Sequence, residues 1–339
     1  MISSGPLKIG MLGTARIARQ FALGIAPSTK VKVVGIASRD ADKARAFASE
    51  LSIPRSFSSY EALLAAPIID AVYIPLPNTM HAEWAIKAAD AGKHIICEKP
   101  LAMSLAEARS MFAAARRNNV HLVEAYPYLS QPTTLKAREL IRSAVIGRPQ
   151  LISASFGVSF SDPADIRFQP ELGGGSMLDA GSYCVSFARV MAGERPRRVH
   201  AIARWTGPGV DRTMVGTMEF ASGLIAQIAS TYATHYYRYG QIAGDNGIVD
   251  THFLNHPPAG GPPAIHIRRG AMPGGSEVET ILAEGGNGFR YVAESFARLV
   301  AEDGQGWNGA TEQESLDIAA TLSALVESAR TGGPVNVEA

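Results

Sequence analysis

The chain has 339 residues, which is enough for two domains of ordinary size. Its 32 Lys and Arg residues nearly balance 31 Asp and Glu residues, so its net charge favours neither nucleic acid nor an anionic membrane surface. No apolar run reaches the roughly 18 residues that span a bilayer, and the first residues lack the features of a secretory signal. Two cysteines, Cys97 and Cys184, cannot form a disulfide framework. The composition predicts a soluble cytoplasmic protein.

Strands and helices alternate in the first third of the chain. Strands are predicted at Leu7–Leu12, Val31–Ala37, Asp70–Ile74, His94–Cys97 and Val120–Glu124. Helices are predicted at Ile17–Ile25, Ala41–Leu51, Met80–Ala91 and Ser104–Arg117. This alternation predicts an α/β fold with a doubly wound parallel sheet, in which ligands bind at the carboxyl ends of the strands.

The pattern changes after about residue 126, where successive strands follow one another. Helices are predicted at Pro132–Ala144, Met177–Met191, Phe289–Ala301 and Glu312–Arg330. Strands are predicted at Gln150–Ser159, Val199–Trp205, Thr213–Phe220, Leu224–Tyr232, Gly247–Phe253 and, inside a loop over Asn255–Gly275, at Ala264–Arg268. We expect a domain over 1–125 and an α+β domain over 126–339, whose mostly antiparallel sheet has one open face.

The loop after the first strand carries a dinucleotide-binding pattern. The motif G-x-G-x-x-G/A, with alanine in its second glycine position, is matched by Gly13, Thr14, Ala15, Arg16, Ile17 and Ala18. Small residues let the backbone approach a pyrophosphate, and the helix N-terminus attracts the anion. A strand-to-helix turn also needs small residues for packing, so the motif alone leaves both interpretations open.

The end of the second strand bears on the choice of dinucleotide. NAD sites usually have Asp or Glu there, bonded to the ribose 2′-hydroxyl. This chain has Ser38 and Arg39, with Lys43 one helical turn later, and these groups suit a 2′-phosphate. We predict NADP, with NAD as the alternative, although the cations also fit a solvated helix start. Asp40 is interpreted as the helix N-cap.

Two later strands also end in residues that can line a cofactor site. The third strand is followed by Pro75, Leu76, Asn78 and His81, and the fourth by Glu98, Lys99 and Pro100. The two prolines of the first loop stiffen it. A lysine at the carboxyl end of a parallel strand can point into the ligand crevice, although a surface lysine is the commoner outcome.

A glycine-rich segment in the second half provides further candidates. The three glycines at 173–175 permit close backbone approach to a ligand, and Asp179 and Tyr183 are four residues apart on one face of a predicted helix. Arg167, just upstream, is a candidate for the substrate rim. The alternative is a flexible hinge with an N-terminal aspartate and a core tyrosine. His252 and His256 are interpreted as loop residues, so no metal site is predicted.

These motifs resemble the glucose–fructose oxidoreductase / inositol dehydrogenase (Gfo/Idh/MocA) family over nearly the whole chain. The resemblance is carried by Gly13–Ala18, Pro75–His81, Glu98–Pro100 and Gly173–Tyr183. It implies a Rossmann domain followed by an open-faced α+β domain. It also implies that Lys99 is the catalytic lysine and that Asp179 orients the substrate.

Tyr183 stands where many members of this family carry a histidine as the general acid/base. The chain is similar in this to the branch of aldose dehydrogenases, such as xylose dehydrogenase, and dihydrodiol dehydrogenase. The resemblance implies hydride transfer between a nicotinamide and a sugar, with Lys99 favouring the phenolate of Tyr183. The alternatives are a trans-dihydrodiol dehydrogenase acting on a cyclic diol and a cofactor-sensing regulator.

The expected partners follow from the same features. They are a carbohydrate or diol substrate and further copies of the chain, with neither nucleic acid nor membrane. An uncovered apolar sheet face is unstable in water, so we expect a homodimer or homotetramer built through the open face of the second sheet.

Overall fold

The structure is a computed structural model that describes residues 5–258, 260–270, 277–302 and 304–338. Residues 1–4, on which the expectation about a leader depends, lie outside the described residues, as do residues 259 and 271–275 of the predicted loop. The chain forms two compact units. The first combines the part up to Ala102 with Ala106–Ser130 and Gly286–Glu312, and the second combines Met103–Leu105, Gln131–Gly285 and the part from Gln313 onward. We expected one boundary at 125–126, but residues Gly286–Glu312 of the second half also belong to the first unit.

The helices of the described residues follow the predicted positions closely, apart from the short α3. They are α1 (Arg16–Ile25), α2 (Ala41–Glu50), α3 (Tyr60–Leu64), α4 (His81–Asp90), α5 (Leu105–Arg117), α6 (Pro132–Arg142), α7 (Ser182–Ala192), α8 (Gly288–Ala301) and α9 (Glu312–Thr331). The side chain of Asp40 accepts hydrogen bonds from the backbone N–H groups of Asp42 and Lys43, as expected of the N-cap of α2.

The first unit contains a six-stranded sheet whose pairs are all parallel. Its strands are β1 (Leu7–Leu12), β2 (Val31–Ala37), β3 (Ser56–Phe57), β4 (Ala71–Ile74), β5 (His94–Glu98) and β6 (Leu122–Ala125). Their order is β3-β2-β1-β4-β5-β6, so the direction of strand addition reverses between β1 and β4. The predicted doubly wound sheet is confirmed, and ligands bind at such a reversal.

The core of this unit explains why its strands are almost wholly apolar. Helices cover both faces of such a sheet, so the side chains on either face of each strand are buried. Ile9, Met11 and Ile96 are fully buried. Phe21 of α1 stacks on Tyr73 of β4, with ring centroids 3.9 Å apart.

The second unit contains a nine-stranded sheet. Its strands are β7 (Pro149–Ser159), β8 (Pro196–Trp205), β9 (Asp211–Phe220), β10 (Ile225–Thr231), β11 (Ala233–Gly244), β12 (Gly247–Thr251), β13 (Ala264–Arg269), β14 (Glu277–Leu282) and β15 (Val335–Asn336). Their order is β14-β13-β12-β11-β7-β10-β9-β8-β15, with β7 and β10 parallel and the other pairs antiparallel. The mostly antiparallel sheet is confirmed. β11, β14 and β15 were not predicted.

The predicted helix at Met177–Met191 is corrected by the structure. Its first turn, Met177–Gly181, is a π-helix, and the α-helix begins only at Ser182. The carboxylate of Asp211 accepts hydrogen bonds from the Ser176 hydroxyl at 2.6 Å and from the Met177 N–H at 2.7 Å, which fixes this wider turn at its start. Such turns are rare in helices and are frequent at functional sites.

No helix in the described part of the chain is both long enough and apolar enough to cross a membrane.

Candidate active site

The loop between β1 and α1 has the backbone that the dinucleotide motif requires. Gly13 has φ +106°, in the region that favours glycine, and its N–H donates to the carbonyl of Ala37 at 2.8 Å. A Cβ at Gly13 would lie 3.1 Å from Cδ2 of Leu76, a residue of the loop after β4. The two loops at the reversal of the sheet therefore meet closely at a position that accepts no larger residue without movement.

The N-terminus of α1 fits a pyrophosphate. Its N-cap, Ala15, makes no side-chain hydrogen bond to the helix, and no acidic residue lies in the first turn. The first N–H groups of a helix have no partner within it, and the helix dipole favours an anion there. Thr14 and Ile17 are half-buried around this end, and Arg16 is exposed.

The end of β2 carries the cations that were predicted to select NADP. Arg39 and Lys43 are exposed, while Ser38 is buried and its hydroxyl accepts a hydrogen bond from the Asp40 N–H at 3.2 Å. Lys43 lies 3.9 Å from the carboxylate of Asp40, so its ammonium is loosely paired. Both cations remain exposed to solvent.

Tyr60 of α3 is a residue that sequence reasoning missed. Burial raises the pKa of its phenol, and the charge and hydrogen bond of Arg39 partly oppose that rise. Its hydroxyl lies 3.7 Å from the position a Cβ would take on Gly13. Arg39 is thus directed towards the glycine loop, which suits a group that binds the ribose end of a dinucleotide. The sequence offered no signal for this, because α3 was not predicted.

His81 holds two of the predicted cofactor loops together. It is fully buried, with Nδ1 2.9 Å from the carbonyl of Pro100 and Nε2 2.9 Å from the carbonyl of Leu76. Burial lowers the pKa of its imidazole, and those two hydrogen bonds oppose the shift. The structure therefore shows His81 positioning the loops after β4 and β5, while its contact with a cofactor stays a prediction. Pro75 is buried beside it and Asn78 is half-buried.

The end of β5 presents Lys99 next to a buried acid. Glu98 is buried and accepts a hydrogen bond from the Tyr73 hydroxyl at 2.6 Å. Lys99 is half-buried and is joined to Pro100 by a cis peptide bond. The ammonium of Lys99 lies near enough to His81 to contribute to its lowered pKa. Lys99 is therefore placed at the carboxyl edge of the parallel sheet, as the sequence predicted.

In the second unit, the glycines at 173–175 approach the protein itself. A Cβ at Gly174 would lie 2.6 Å from the carbonyl of Arg167, and one at Gly175, whose φ is +122°, would lie 2.4 Å from the carboxylate of Asp211. Close approach of these glycines to a ligand stays a prediction. These glycines let the segment pack against Arg167 and Asp211, which fixes the turn that carries Asp179.

Asp179 and Arg167 form an ion pair. The Nε of Arg167 lies 2.8 Å from Oδ2 of Asp179, and the hydroxyl of Tyr232 lies 3.1 Å from the same oxygen. Burial opposes the charge on Arg167, but the Asp179 carboxylate raises the pKa of the guanidinium overall. Burial, with the charge of Asp179, raises the pKa of Tyr232, so its phenol remains a hydrogen-bond donor.

Tyr183 lies one turn later, between a cation and an amide. The guanidinium carbon of Arg238 is 4.1 Å from the centroid of its ring, and Nδ2 of Asn255 donates a hydrogen bond to its hydroxyl oxygen at 3.0 Å. The ring of Phe156 meets that of Tyr183 edge-on. Sequence reasoning missed Arg238 and Asn255, since β11 was not predicted and Asn255 was placed in a loop.

A cavity of about 460 Å³ borders this cluster within the second unit. Arg238 and Phe253 line it, together with Tyr236, Thr133, His252 and His256. This volume lies in the range of small-molecule sites, which combine apolar walls with a few polar groups. The arrangement can bind a small polar ring beside the residues that contact Tyr183.

The two units together define a dinucleotide-dependent oxidoreductase. Residues 7–126 match the family profile described as "Oxidoreductase family, NAD-binding Rossmann fold", and residues 134–250 match the "GFO/IDH/MocA C-terminal domain". The chain belongs to the Gfo/Idh/MocA family, whose members use NADP or NAD.

Its relatives act on sugars and diols, as their names state. The chain is 36% identical over 335 residues to D-xylose 1-dehydrogenase (NADP(+)) 2 of Haloferax volcanii, covering 98% of this chain and 100% of that protein. It is 36% identical over 246 residues to trans-1,2-dihydrobenzene-1,2-diol dehydrogenase of Xenopus laevis, covering 71% and 74%. A solved levoglucosan dehydrogenase with NADH and levoglucosan aligns with a TM-score of 0.87 and 25% identity, covering 98% and 100%.

Proposed function

We propose that this protein is an NADP-dependent oxidoreductase that transfers a hydride between nicotinamide and a sugar, either an aldose or a related keto-sugar. Tyr183 acts as the general acid/base and Lys99 assists it. The observation that carries the proposal is the placement of Tyr183 against the guanidinium of Arg238 and the amide of Asn255. A cation on the ring and a hydrogen-bond donor at the oxygen both favour the phenolate, which is the form that a base requires.

The proton step requires an accessible phenolate. A free tyrosine has a pKa of about 10, which is too high for an efficient base near neutral pH. The ammonium of Lys99 would favour the phenolate and would donate to the reacting oxygen as negative charge develops there. Tyr183 would then take the hydroxyl proton of the sugar during oxidation and return it during reduction.

The dinucleotide, when bound, accepts or supplies the hydride at its nicotinamide ring. The N-terminus of α1 would hold the pyrophosphate through the loop that begins at Gly13. Ser38, Arg39 and Lys43 would bind the 2′-phosphate. The cofactor site would further be lined by Pro75, Leu76, Asn78, Glu98 and Pro100, with His81 fixing the loops.

Asp179 and Arg167 would bind the sugar as a unit. The carboxylate can accept hydrogen bonds from substrate hydroxyls, and the guanidinium can donate to them. Their mutual ion pair holds both groups in fixed orientations. Fixed polar groups determine the orientation of a bound ring, and hence which hydroxyl reacts.

The second candidate is a dehydrogenase of cyclic diols. The similarity to the Xenopus laevis diol dehydrogenase favours it, because its identity equals that of the xylose dehydrogenase over a shorter segment. A diol would need the same proton transfer at Tyr183. The two candidates differ in the polar contacts that the substrate makes with Asp179 and Arg167.

The test is the initial rate of nicotinamide reduction with pooled aldoses and, separately, with a cyclic trans-diol, each with NADP⁺ and NAD⁺. We expect turnover with aldoses, faster with NADP⁺. Tyr183→Phe and Lys99→Ala should each lose most of kcat while dinucleotide affinity is kept. Tyr239→Phe, which removes a hydroxyl bonded to Asp250 instead, is the matched control. Normal turnover by either of the first two variants contradicts the assignment.

We also propose that the protein is a homo-oligomer that associates through the open face of the nine-stranded sheet. Ile202 pairs with Val215 across β8 and β9, and Leu151 pairs with Ile225 across β7 and β10. All four side chains are exposed, although they are apolar. Burying such a face against a second copy removes it from water.

A further inference from the structure

Arg238 is a buried cation enclosed by aromatic rings. The residue is 5% exposed, and its guanidinium carbon lies 4.1 Å from the ring centroid of Tyr183, 4.6 Å from that of Phe156 and 4.8 Å from that of Phe253. Burial of a charge is costly, and cation–π contacts offset part of that cost. The ring of Tyr183 is the nearest of the three.

The backbone holds Arg238 in this place. It pairs with Phe156 in the ladder between β11 and β7, so both residues lie on the face that α7 covers. The carbonyl of Arg238 lies 2.8 Å from Nδ1 of His252, which ties β11 to the residue after β12. These two backbone contacts hold β11 at Arg238, and so they hold its guanidinium against the ring of Tyr183.

Asn255 is also fixed in place, and it contacts Tyr183 at the hydroxyl oxygen. Its carbonyl accepts a hydrogen bond from Nε2 of Gln131 at 2.6 Å, and its Nδ2 donates to the hydroxyl oxygen of Tyr183. Its Oδ1 is buried without a hydrogen-bond partner among the described residues. Leaving a buried acceptor unpaired costs free energy. The side-chain amide of Asn255 therefore donates to Tyr183 while its own oxygen, Oδ1, stays without a hydrogen bond among the described residues.

The other titratable groups near Tyr183 in this unit carry little charge at neutral pH. Burial raises the pKa of Cys184 to about 12 and also raises that of Tyr237. Burial and the charge of Arg238 lower the pKa of His256, so that imidazole is neutral. Asp179, one turn earlier, is neutralised by Arg167. Of these groups, Arg238 is the one that presents a charge to the ring.

We propose that Arg238 and Asn255 are positioning residues that hold Tyr183 in one orientation and favour its phenolate over its phenol. A phenolate spreads its negative charge into the ring, so a cation above the ring stabilises the charged form more than the neutral one. A donor at the oxygen acts in the same direction. The inference rests on the proposed function only in assigning this phenolate to proton transfer.

The test is a titration that does not use activity. The full-length protein is labelled with ¹³C at the tyrosine Cζ, and Tyr183→Phe identifies the signal of Tyr183 by its loss. We expect the midpoint of Tyr183 to lie below the usual value of about 10. Arg238→Met should raise that midpoint by about one unit or more, and Arg238→Lys by less. Asn255→Ala should raise it as well.

The matched control is Arg330→Met. Arg330 places its guanidinium 5.5 Å from the ring centroid of Trp205, so this variant removes a cation–π contact that does not involve Tyr183. The Tyr183 midpoint should stay unchanged in it. In sugar oxidation, where the phenolate is the base, the acidic limb of the kcat profile should move to higher pH with the midpoint in the Arg238 and Asn255 variants, which a merely structural role would not produce.

An unchanged midpoint in folded Arg238→Met and Asn255→Ala proteins overturns the inference. If Arg238→Met does not fold, an unchanged midpoint in both Arg238→Lys and Asn255→Ala overturns the inference instead. The titration needs neither substrate nor dinucleotide, so its result is separate from the proposed function. Normal turnover by Tyr183→Phe would overturn the proposed function and leave the titration valid.

Discussion

Arg167 and Asp179 face each other across 2.8 Å, from Nε of the guanidinium to Oδ2 of the carboxylate. The opposite side of the same guanidinium lies 3.2 Å from Oδ1 of Asp165, and its carbon lies 4.3 Å from the ring centroid of Phe160. Arg167 is thus fixed on three sides. Arg167 and the Tyr232 hydroxyl therefore hold the side chain of Asp179, which lies in the wider π-helical turn before α7.

Arg167→Ala should weaken sugar binding more than dinucleotide binding. The variant removes a charge-assisted hydrogen bond and leaves the Asp179 carboxylate held by Tyr232 alone among the contacts described above. Hydrogen bonds to charged groups contribute about 1.5–3 kcal/mol, so we expect KM for the sugar to rise about 10- to 100-fold. Steady-state kinetics, with dinucleotide affinity measured by fluorescence titration, check this.

Arg198→Ala is the control for that experiment. Arg198 pairs with Glu219 on exposed neighbouring strands, and exposed pairs contribute little. Its KM should stay close to that of the unaltered protein. A rise in KM of the same size in Arg198→Ala, or no rise in Arg167→Ala, would contradict a substrate role for the pair.

The sequence predicted the parallel sheet because every one of its longer strands is a local apolar run that ends in a motif. β11 gave no such signal. Its residues Ala233–Tyr237 are all exposed, and its partner β7 lies far earlier in the chain. The contact of Arg238 with Tyr183 depends on that pairing, so no local pattern could reveal it.

The sequence indicated the positions of the predicted site residues unevenly, for the same reason. Lys99 directly follows β5, and His81 begins α4 after the loop that leaves β4, so the topology places both at the carboxyl edge of the first sheet. The wide turn at Asp179 depends on Asp211, a residue of β9 that caps it from a distance in sequence. Helical spacing of four residues between Asp179 and Tyr183 could not indicate this.

Arg39→Ala should shift dinucleotide preference. Its exposed guanidinium lies beside the glycine loop, where a 2′-phosphate would accept charge-assisted hydrogen bonds. Losing them should raise the dissociation constant for NADP⁺ about tenfold or more, while that for NAD⁺ changes little. Titration with both dinucleotides checks the ratio.

Arg45→Ala tests whether any cation of α2 has this effect. Arg45 is exposed on the same helix and is paired with Asp42. Its variant should leave the NADP⁺ to NAD⁺ ratio unchanged. An equal loss of affinity for both dinucleotides in Arg39→Ala would show that this residue does not bind the 2′-phosphate.

Asp211 should make stability fall as pH rises. Burial raises its pKa to about 6, so between about pH 4 and 6 the folded protein binds a proton that the unfolded chain has released. Stability contributed by this group is therefore present at low pH and lost as pH rises through 6. The shift from 3.8 corresponds to about 3 kcal/mol.

Urea unfolding of the protein and of Asp211→Asn over this pH range isolates the effect, since other carboxylates cancel in the difference. The unfolding free energy of the protein minus that of the variant should fall by about 2.4 kcal/mol between pH 4 and pH 7. Ser176→Ala removes a hydrogen bond that lowers the pKa of Asp211, so the fall should extend to higher pH. A difference that rises with pH would show that Asp211 is ionised more easily when folded.

Ile202→Glu should separate the copies of the chain. Ile202 is 69% exposed on the open face, opposite Val215 in the ladder, and a carboxylate there would be buried on association without a partner. We expect light scattering to show the mass of a single chain, with a circular dichroism spectrum like that of the unaltered protein.

Leu23→Glu provides the comparison, since Leu23 is also an exposed apolar residue and lies on α1 in the other unit. It should keep the assembled mass, because association through the open sheet does not involve α1. Loss of assembly in Leu23→Glu with assembly kept in Ile202→Glu would move the interface to the first unit. If light scattering gave the unaltered protein the mass of a single chain, the proposal of association through this face would be contradicted.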